Sequence, residues 1–469
     1  MAGTQPAFRR NKPRRRQCMA DRFQTLNLKN MKQLNICLLI LACILTHGCE
    51  KKDGEEAAAV PVIKTVWPQE GTPSTIVTIR GKHFSPVRTE NMVQFNGAAA
   101  IVIEASAGEL QVVSPASGST GPITLSVRNT DITGPVFTYT EAPEEYTVKI
   151  FAGNGTAGSV DGALADIRLR SPEGVVMDAA GNLVITDRGN NRIRRITPGG
   201  TMTTVAGADA AGYADGGAGN ARFRLPWRSA VDAAGNIIVA DRDNHCIRRI
   251  TPDGTVSTIA GTGTAGFADG DNNTALFNQP LDVAVDAAGN IYVADNLNHR
   301  IRRIAPDGTV STIAGNGTAA FADGTGAEAR LRNPSGIDID AEGNVLVADR
   351  LNHRIRRITP QGVVTTVAGD GTKGFSDGEA LLSRFADPYG ITTDSKGNII
   401  VADLNNAKIR KIDTDMRVST IAGTSQGLAD GAGITAQFRS PVDVCVDAAD
   451  NIYVADLGNH CIRRISLVK

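Results

Sequence analysis

Four histidines recur at one position of a long internal repeat, each directly after an asparagine. Histidine nitrogens are common metal ligands, so a repeated histidine first suggests a metal site. Such a site would need ligands that converge on one point, whereas these histidines fall in a turn between two strands of each repeat. A hydrogen bond between neighbouring repeats explains them more simply, and we expect no metal site here. The four are His245, His299, His353 and His460.

Residues for hydrolytic or nucleophilic chemistry do not form a recognisable pattern in the sequence. No Ser-His-Asp order, phosphate-binding loop or spaced carboxylate pair stands out, so we predict no catalytic residue and no cofactor. The acidic residues best placed to converge on the centre of a ring of repeats are Glu173, Asp282 and Asp443.

Aspartates and arginines that are the same in every repeat are interpreted as framework. An aspartate ends the second strand of each repeat, and we expect it to cap a turn by accepting local backbone N–H groups. Paired arginines such as Arg248-Arg249 and Arg302-Arg303 are expected to form a solvated basic edge with Asp partners. The aspartates are Asp187, Asp241, Asp295, Asp349, Asp403 and Asp456, and those of the Asp-Gly pairs are Asp161, Asp215, Asp269, Asp323, Asp377 and Asp430.

Positions that differ between the repeats are better candidates for a ligand site. Two such positions follow the first proline of each repeat, and a third follows the aspartate that ends the second strand. Together they hold aromatic and charged side chains that suit a sugar, a peptide or an acidic glycan. We therefore predict a ligand site formed by Trp227, Arg228, Asp282, Tyr389, Asp443, Arg188, Arg242 and Arg350.

The repeat that must position these residues occurs six times. Its anchor prolines, Pro172 to Pro441, are spaced by 54 residues four times and then by 53. Each block reads as four strands separated by Asp/Gly/Asn turns, which indicates a β-propeller over residues 146–469. The sixth block has no fourth strand, and a matching segment, Val148 to Gly153, precedes the first block. We expect this segment to close the ring.

The segments Gly289-Asn-Ile-Tyr-Val-Ala-Asp295 and Asn298-His-Arg-Ile301 resemble the NHL repeat. The resemblance implies a six-bladed NHL propeller. Proteins with NHL repeats also include amidating lyases, which hold a catalytic metal with histidines. This chain has no histidine on a first strand. A metal-dependent lyase or lactonase-like hydrolase with its site in the central pocket is therefore the alternative function.

Residues 61–140 contain short alternating strands that suit an immunoglobulin-like β-sandwich. The run Val77-Thr-Ile-Arg-Gly81, Val93-Gln-Phe-Asn-Gly97 and Phe137-Thr-Tyr139 resembles the IPT/TIG family. In exported bacterial proteins this family implies a spacer or an adhesion module. The whole chain is thus expected to be all-β.

The first 48 residues resemble an upstream extension followed by a bacterial lipoprotein signal peptide. Ten apolar residues, Ile36 to Leu45, follow Met31-Lys32 and precede Gly48-Cys49, and are too few to span a bilayer. We expect lipidation at Cys49, a charged tether over 49–60 that resembles Bacteroidetes export signals, and a location at the outer membrane or cell surface. Contact with the membrane would then run only through the lipid anchor.

Charge and cysteine usage limit the partners. Without residues 1–48 the chain has 40 basic and 48 acidic residues, so we expect no nucleic-acid partner. Cys246, Cys445 and Cys461 are expected to be buried free thiols. We expect a monomer that acts as a binding module for an extracellular glycan, peptide or protein through one face of the propeller.

Overall fold

The computed structural model describes residues 60–140 and 144–468. The predicted signal peptide, the lipidation site Cys49 and nearly all of the tether lie outside these residues. Within the described part, no helix is both long enough and apolar enough to cross a membrane. The chain divides into two compact units, and the first of them ends at Tyr139.

The first unit is a β-sandwich, as predicted. Its core contains Val77, Ile79, Phe95 and Phe137, all fully buried, and the two phenylalanine rings meet edge to face with centroids 5.0 Å apart. One sheet contains, in spatial order, Val62–Trp67, Ile76–Lys82, Glu109–Val113 and Ile101–Ala105. The other contains Glu70–Gly71, Thr130–Tyr139, Gly121–Val127, Asn91–Phe95 and Ala98–Ala99, and a 3-10 turn spans Arg88–Glu90.

The second unit is a propeller of six antiparallel sheets, the blades, whose strands are numbered one to four outward from the axis. Blade 1 contains Gly174–Met177, Leu183–Asp187, Arg192–Ile196 and Thr201–Gly207, and blade 2 contains Ser229–Val231, Ile237–Asp241, Cys246–Ile250 and Val256–Ala260. Blade 3 contains Pro280–Val285, Ile291–Asp295, Arg300–Ile304 and Val310–Ala314, and blade 4 contains Pro334–Ile339, Val345–Asp349, Arg354–Ile358 and Val363–Ala368. Blade 5 contains Pro388–Thr393, Ile399–Asp403, Lys408–Ile412 and Arg417–Ala422, and blade 6 contains Pro441–Val446, Ile452–Asp456, Cys461–Leu467 and Tyr146–Ala152.

Short elements complete the blades. Two-residue strands extend the outer edges of blades 1, 4, 5 and 6 at Gly162–Ala163, Gly324–Thr325, Gly378–Glu379 and Gly431–Ala432. A 3-10 turn joins strands two and three of each blade, at Arg188–Asn190, Arg242–Asn244, Asn296–Asn298, Arg350–Asn352, Leu404–Asn406 and Leu457–Asn459. Two further 3-10 turns span Gly326–Glu328 and Ala380–Leu382.

The ring closes as the sequence predicts. Strand Tyr146–Ala152 pairs with Cys461–Leu467, and Val148 lies opposite Ile465. The first strand of each blade contacts the first strands of both neighbours, including that of blade 6 against that of blade 1. The N-terminal strand of the propeller is therefore the fourth strand of its last blade.

Each blade carries an arginine on strand three that is fully buried, so the prediction of a solvated basic edge is wrong for the first arginine of each pair. In blade 3, Arg302 contacts Asp295 at 2.9 Å and Asp269 at 2.7 Å. Its guanidinium also lies over the rings of Phe267 and Phe277. Arg303 remains exposed. The first arginine tolerates burial because two carboxylates compensate its charge. The buried arginines are Arg194, Arg248, Arg302, Arg356, Arg410 and Arg463.

The strand-two aspartates connect strand two to the preceding loop and do not cap the backbone of the local turn. Asp295 accepts the backbone N–H of Asn278, on the loop that enters its blade, at 2.8 Å. Its second oxygen accepts hydrogen bonds from the Asn298 amide and Arg302. The prediction that these residues are framework is right. The predicted bond from a backbone N–H of the local turn is absent, and Asp295 accepts a backbone N–H of the preceding loop instead.

The repeated histidines bridge neighbouring blades, which confirms their interpretation as framework. Nδ1 of His299 in blade 3 accepts the backbone N–H of Asn333, on the chain entering blade 4, at 3.2 Å. His245, His353 and His460 make the equivalent bond. Burial lowers the pKa of all four, which keeps Nδ1 free to accept.

The three cysteines of the propeller are buried and free, as predicted. Cys445 lies on strand one of blade 6 and Cys461 on strand three, with Ile452–Asp456 between them. Two strand spacings exceed the reach of a disulfide.

Candidate ligand-binding mouth

One end of the axis gathers the side chains that differ between blades. Strand one begins where strand two ends because the two are antiparallel, and Pro280 lies opposite Asp295 in blade 3. The residue after each anchor proline and the residue after each strand-two aspartate therefore lie at the same end. We call this end the mouth and define it by Glu173, Arg188, Trp227, Arg242, Arg350 and Tyr389.

Beneath the mouth, Arg228 fills the axis. Its guanidinium contacts Asp282 of blade 3 at 3.1 Å and Asp443 of blade 6 at 3.4 Å. It also donates to the backbone carbonyl oxygens of Tyr389 and Val442. Arg228 is 1% exposed and each aspartate 6% exposed. We call Arg228, Asp282 and Asp443 the axial ion-pair cluster.

The two aspartates of this cluster also fasten the first strands to one another. Asp282 accepts the backbone N–H of Ile337 at 3.0 Å, and Asp443 accepts that of Val175 at 2.9 Å. Burial raises the pKa of both carboxyl groups, and the charge of Arg228 opposes this shift. With the bond from Arg228 to the carbonyl oxygen of Tyr389 in blade 5, the cluster thus joins all six blades at the axis.

Glycines at the same position in the other three blades make room for Arg228. A Cβ on Gly336 would lie 2.3 Å from the carbonyl oxygen of Tyr389 and 2.9 Å from Nη1 of Arg228. A Cβ on Gly390 would lie 2.7 Å from Oδ1 of Asp443. A side chain at Gly336 or Gly390 would therefore collide with the axial ion-pair cluster.

Trp227 and Tyr389 form a bar above the cluster. The Trp227 indole N–H donates to the Tyr389 hydroxyl at 3.0 Å. The guanidinium carbons of Arg188 and Arg242 lie 4.7 and 4.3 Å from the Trp227 ring centroid, and that of Arg350 lies 5.1 Å from the Tyr389 centroid. With 7% and 4% exposure, the two aromatic residues support the arginines rather than offer an open stacking surface.

The arginines form the accessible part of the mouth. The side chains of Arg188 and Arg242 are 24% and 23% exposed, and Arg350 is partly exposed. Arg242 contacts Asp243 at 3.0 Å. Among the described residues, no carboxylate lies within 4.0 Å of the Arg350 guanidinium. The mouth therefore presents cationic groups that are not fully neutralised.

Glu173 is the residue that the predicted ligand set lacked. Its Oε2 lies 3.2 Å from Nη1 of Arg188, yet it is 1% exposed and neither oxygen accepts a hydrogen bond within the described structure. Burial raises the pKa of Glu173 to about 7, against the charges of Arg188, Arg228, Arg242 and Arg350. Its place after an anchor proline, at a position that differs between the blades, was the signal that could have identified it.

The structure brings all eight predicted ligand residues to one end of the axis, at three depths. Arg188, Arg242 and Arg350 lie outermost, with Trp227 and Tyr389 directly beneath. Arg228, Asp282 and Asp443 lie deeper and contact one another. A ligand at the mouth would touch the arginines. The positions of the arginines depend on the side chains that lie beneath them.

A separate cavity lies on the axis beyond the cluster. Asp282 and Asp443 face it together with Asp338, Thr392 and Cys445. Asp338 is engaged by the backbone N–H and the hydroxyl of Thr393 at 2.8 and 3.1 Å. Across residues 60–140 and 144–468, no group of three or more His, Cys, Asp or Glu side chains could hold a metal ion.

Comparison with protein families identifies both units. Residues 61–141 match the IPT/TIG domain. Residues 169–196, 223–250, 277–304, 331–358 and 438–465 match the NHL repeat. Blade 5, which lies between the last two of these segments, forms the same four strands although Ala407 replaces the repeated histidine.

Two named relatives are similar to part of the chain. NHL repeat-containing protein 2 of Bos taurus is 29% identical over 340 residues, which cover 63% of this chain and 46% of that protein. SUPPRESSOR OF QUENCHING 1, chloroplastic, of Arabidopsis thaliana is 30% identical over 279 residues, covering 55% and 26%. The chain spans less than half the length of these curated relatives.

Solved structures share the fold over most of the chain. A protein of unknown function from Bacteroides thetaiotaomicron has a TM-score of 0.56 at 20% identity and covers 88% of this chain and 99% of its own. An auxiliary nutrient binding protein from Bacteroides ovatus has a TM-score of 0.53 at 17% identity, with the same coverage. At these identities the likeness concerns the fold alone. The chain therefore contains an IPT/TIG domain followed by a six-bladed β-propeller in which five blades match the NHL repeat.

Proposed function

We propose that this protein is an exported surface lipoprotein whose propeller binds an extracellular glycan, peptide or protein at the mouth. In this proposal a lipid on Cys49 holds the chain at the membrane and the IPT/TIG domain serves as a spacer. The protein acts as a monomer and without nucleic acid.

The observation that carries the binding role is the outer layer of the mouth. Three arginines from blades 1, 2 and 4 converge there, and Arg350 has no acidic partner among the described residues. A guanidinium is rigid and planar and presents five donors, so it binds carboxylates and polar oxygens with defined geometry. The Trp227–Tyr389 bar holds these groups in place before a ligand arrives, which lowers the entropic cost of binding.

The fold neighbours support the same kind of role. One similar structure is named an auxiliary nutrient binding protein, from Bacteroides ovatus. A binding propeller carried behind a spacer and a lipid anchor would expose its mouth to extracellular molecules, and the signal-like segment ending at Cys49 agrees with that arrangement.

A binding screen with matched variants tests the role of the mouth. The purified protein is screened against arrays of neutral and acidic oligosaccharides and against peptides, and each hit is repeated with Arg350→Ala, Trp227→Ala and Arg303→Ala. Arg303 is an exposed arginine of strand three, outside the mouth, and serves as the control. We expect Arg350→Ala to weaken binding by about tenfold, in line with the loss of one charged hydrogen bond, and Arg303→Ala to leave it unchanged.

The outcomes separate clearly. Trp227→Ala removes a buried side chain, so its loss of binding counts only if its thermal unfolding remains cooperative. A ligand that binds equally to Arg350→Ala and to the parent protein would refute the mouth as the site. Failure of every oligosaccharide and peptide to bind would refute a glycan or a peptide as the ligand.

The anchor is tested separately. We expect the protein expressed in a Bacteroides host to incorporate labelled palmitate and to fractionate with the outer membrane. Cys49→Ser should abolish both. Equal labelling of Cys49→Ser would exclude Cys49 as the modified residue, and recovery of the unmodified parent protein in the cytoplasm would refute export.

A further inference from the structure

The buried carboxyl group of Glu173 is the least satisfied polar group near the mouth. It is 1% exposed, and neither of its oxygens accepts a hydrogen bond in the described structure. Buried carboxylates are normally hydrogen-bonded, and one that is not costs several kcal/mol when charged. The Glu173 carboxylate is therefore poorly stabilised where it lies.

The arginines around Glu173 are also incompletely bonded. The buried Nε atoms of Arg188, Arg242 and Arg350 have no hydrogen-bond acceptor within the described residues. Only Arg188 makes an ion pair with Glu173, at 3.2 Å. The Glu173 carboxylate thus lies close to three guanidinium groups but forms none of the bidentate pairs that carboxylates and guanidinium groups commonly make.

We propose that a carboxylate of the ligand replaces Glu173 as the counter-ion of Arg188 and also engages Arg242 and Arg350, and that Glu173 takes up a proton from solvent when this happens. The inference rests on the function proposed above and adds the chemistry of the ligand. The ligand carries a carboxylate because the group that it replaces is a carboxylate.

Proton uptake follows from the surroundings of Glu173. Arg188 faces it from its own blade, Arg228 and Arg242 from blade 2, Arg350 from blade 4 and Tyr389 from blade 5. In the free protein the cations favour the charged carboxylate, and burial favours the neutral acid. When a ligand carboxylate engages Arg188, Arg242 and Arg350, its negative charge offsets theirs, and Arg228 alone still opposes the effect of burial on Glu173. Since its pKa is already about 7, Glu173 then becomes protonated at neutral pH.

Burial of Glu173 also explains why the ligand would not contact it directly. The exposed atoms of the mouth belong to the arginines, so an incoming anion meets guanidinium groups first. Small shifts of these side chains toward the anion leave the Glu173 carboxylate without a cationic partner. The neutral acid is then the protonation state with the lowest free energy of burial.

Calorimetry of the full protein tests this inference with two carboxylate sources and one neutral probe. The probes are trigalacturonate, triglutamate and neutral galactotriose, titrated between pH 5.5 and pH 8.0 at fixed ionic strength. Measurements in two cationic buffers of different ionisation enthalpy give the number of protons taken up. The variants are Glu173→Gln and, as a control, Glu379→Gln, which lies exposed at the edge of blade 5.

We expect the parent protein to bind at least one of the two acidic probes, with up to one proton taken up near pH 8. Its affinity should fall by as much as tenfold per pH unit above pH 7, which is the limit for one linked proton. Glu173→Gln should take up no proton and bind at least tenfold more tightly at pH 8, because the competing carboxylate is gone. Glu379→Gln should behave like the parent protein. The probe that binds identifies a sugar acid or a peptide as the source of the carboxylate.

Other results overturn the inference in distinct ways. Equal or weaker binding by Glu173→Gln, or binding without proton uptake, would show that Glu173 is not displaced. Binding of galactotriose alone, lost in Arg350→Ala, would refute a carboxylate ligand while leaving the mouth as the binding site. If no probe binds and the wider screen also fails, the proposed binding of a glycan or a peptide fails as well.

Discussion

The indole N–H of Trp227 in blade 2 donates to the hydroxyl of Tyr389 in blade 5 at 3.0 Å, and so joins opposite sides of the ring. Both side chains are buried, and each supports arginines of the mouth. A bond between opposite blades holds the arginines at a fixed separation, which a ligand with charged groups would require.

We expect Tyr389→Phe to lower the free energy of unfolding by about 1–3 kcal/mol. The change leaves the Trp227 N–H buried without an acceptor, and an unsatisfied buried donor costs about that much. Denaturant unfolding measures the loss. Tyr292→Phe, in which a partly exposed hydroxyl loses its bond to Asp286, is the control and should cost less. Equal effects would mean that the bar contributes no special stability.

Removing one buried strand-three arginine should be among the most destabilising single changes. Arg302→Ala leaves Asp295 buried without its cation, which costs about 3–5 kcal/mol. Arg303→Ala, one residue along the chain and exposed, should stay within about 0.5 kcal/mol of the parent protein. Thermal and chemical unfolding of the pair provide the comparison, and similar values for both would contradict the role assigned to the buried ion pairs.

Blade 6 should depend for its stability on the N-terminal strand Tyr146–Ala152, which closes the ring. Val148 is fully buried opposite Ile465, whereas its neighbour Lys149 is exposed. We expect Val148→Asp to release strand Tyr146–Ala152 and to increase hydrogen exchange in Cys461–Leu467 by at least tenfold. Lys149→Ser should leave exchange unchanged. Retained protection in Val148→Asp would show that blade 6 does not depend on this strand.

Glu173 makes stability depend on pH. Its pKa rises from an ordinary 4.5 to about 7 on folding, so the folded state binds the proton more tightly than the unfolded state. Stability contributed by this group is full below pH 4.5 and is lost as the pH rises through 7, by roughly 3 kcal/mol in total. We expect Glu173→Gln to remove this loss, so that parent and variant differ most at pH 8. A constant difference from pH 4 to pH 8 would contradict the raised pKa.

Much of the fold follows from repetition. The spacing of the anchor prolines defines the blades, and Val148 to Gly153 is recognisable as a fourth strand because it matches the others in sequence. Burial of Arg302 is not predictable in the same way. Alternation along a strand assigns faces, but it does not show that two aspartates from other segments approach the buried face.

The sequence predicts the site as a set of residues rather than as an arrangement. Comparison of the blades selects Trp227, Tyr389 and the three arginines, and these do meet. The type of a residue does not show how deeply its side chain is buried. The sequence therefore predicts that Trp227 and Tyr389 contact the ligand, whereas in the structure they lie beneath the arginines. At that level Glu173 is only one of three acidic residues that could converge on the axis, because nothing in one sequence shows that a carboxylate lacks hydrogen-bond donors.

Arg228 and its two aspartates have a consequence for the movement of molecules through the protein. Because this cluster occupies the axis, the mouth and the cavity beyond it are separate compartments. Passage from one to the other would require separating a buried arginine from both carboxylates, at a cost of several kcal/mol. Among the described residues, the axis is therefore closed between the mouth and this cavity by the ion pairs of Arg228.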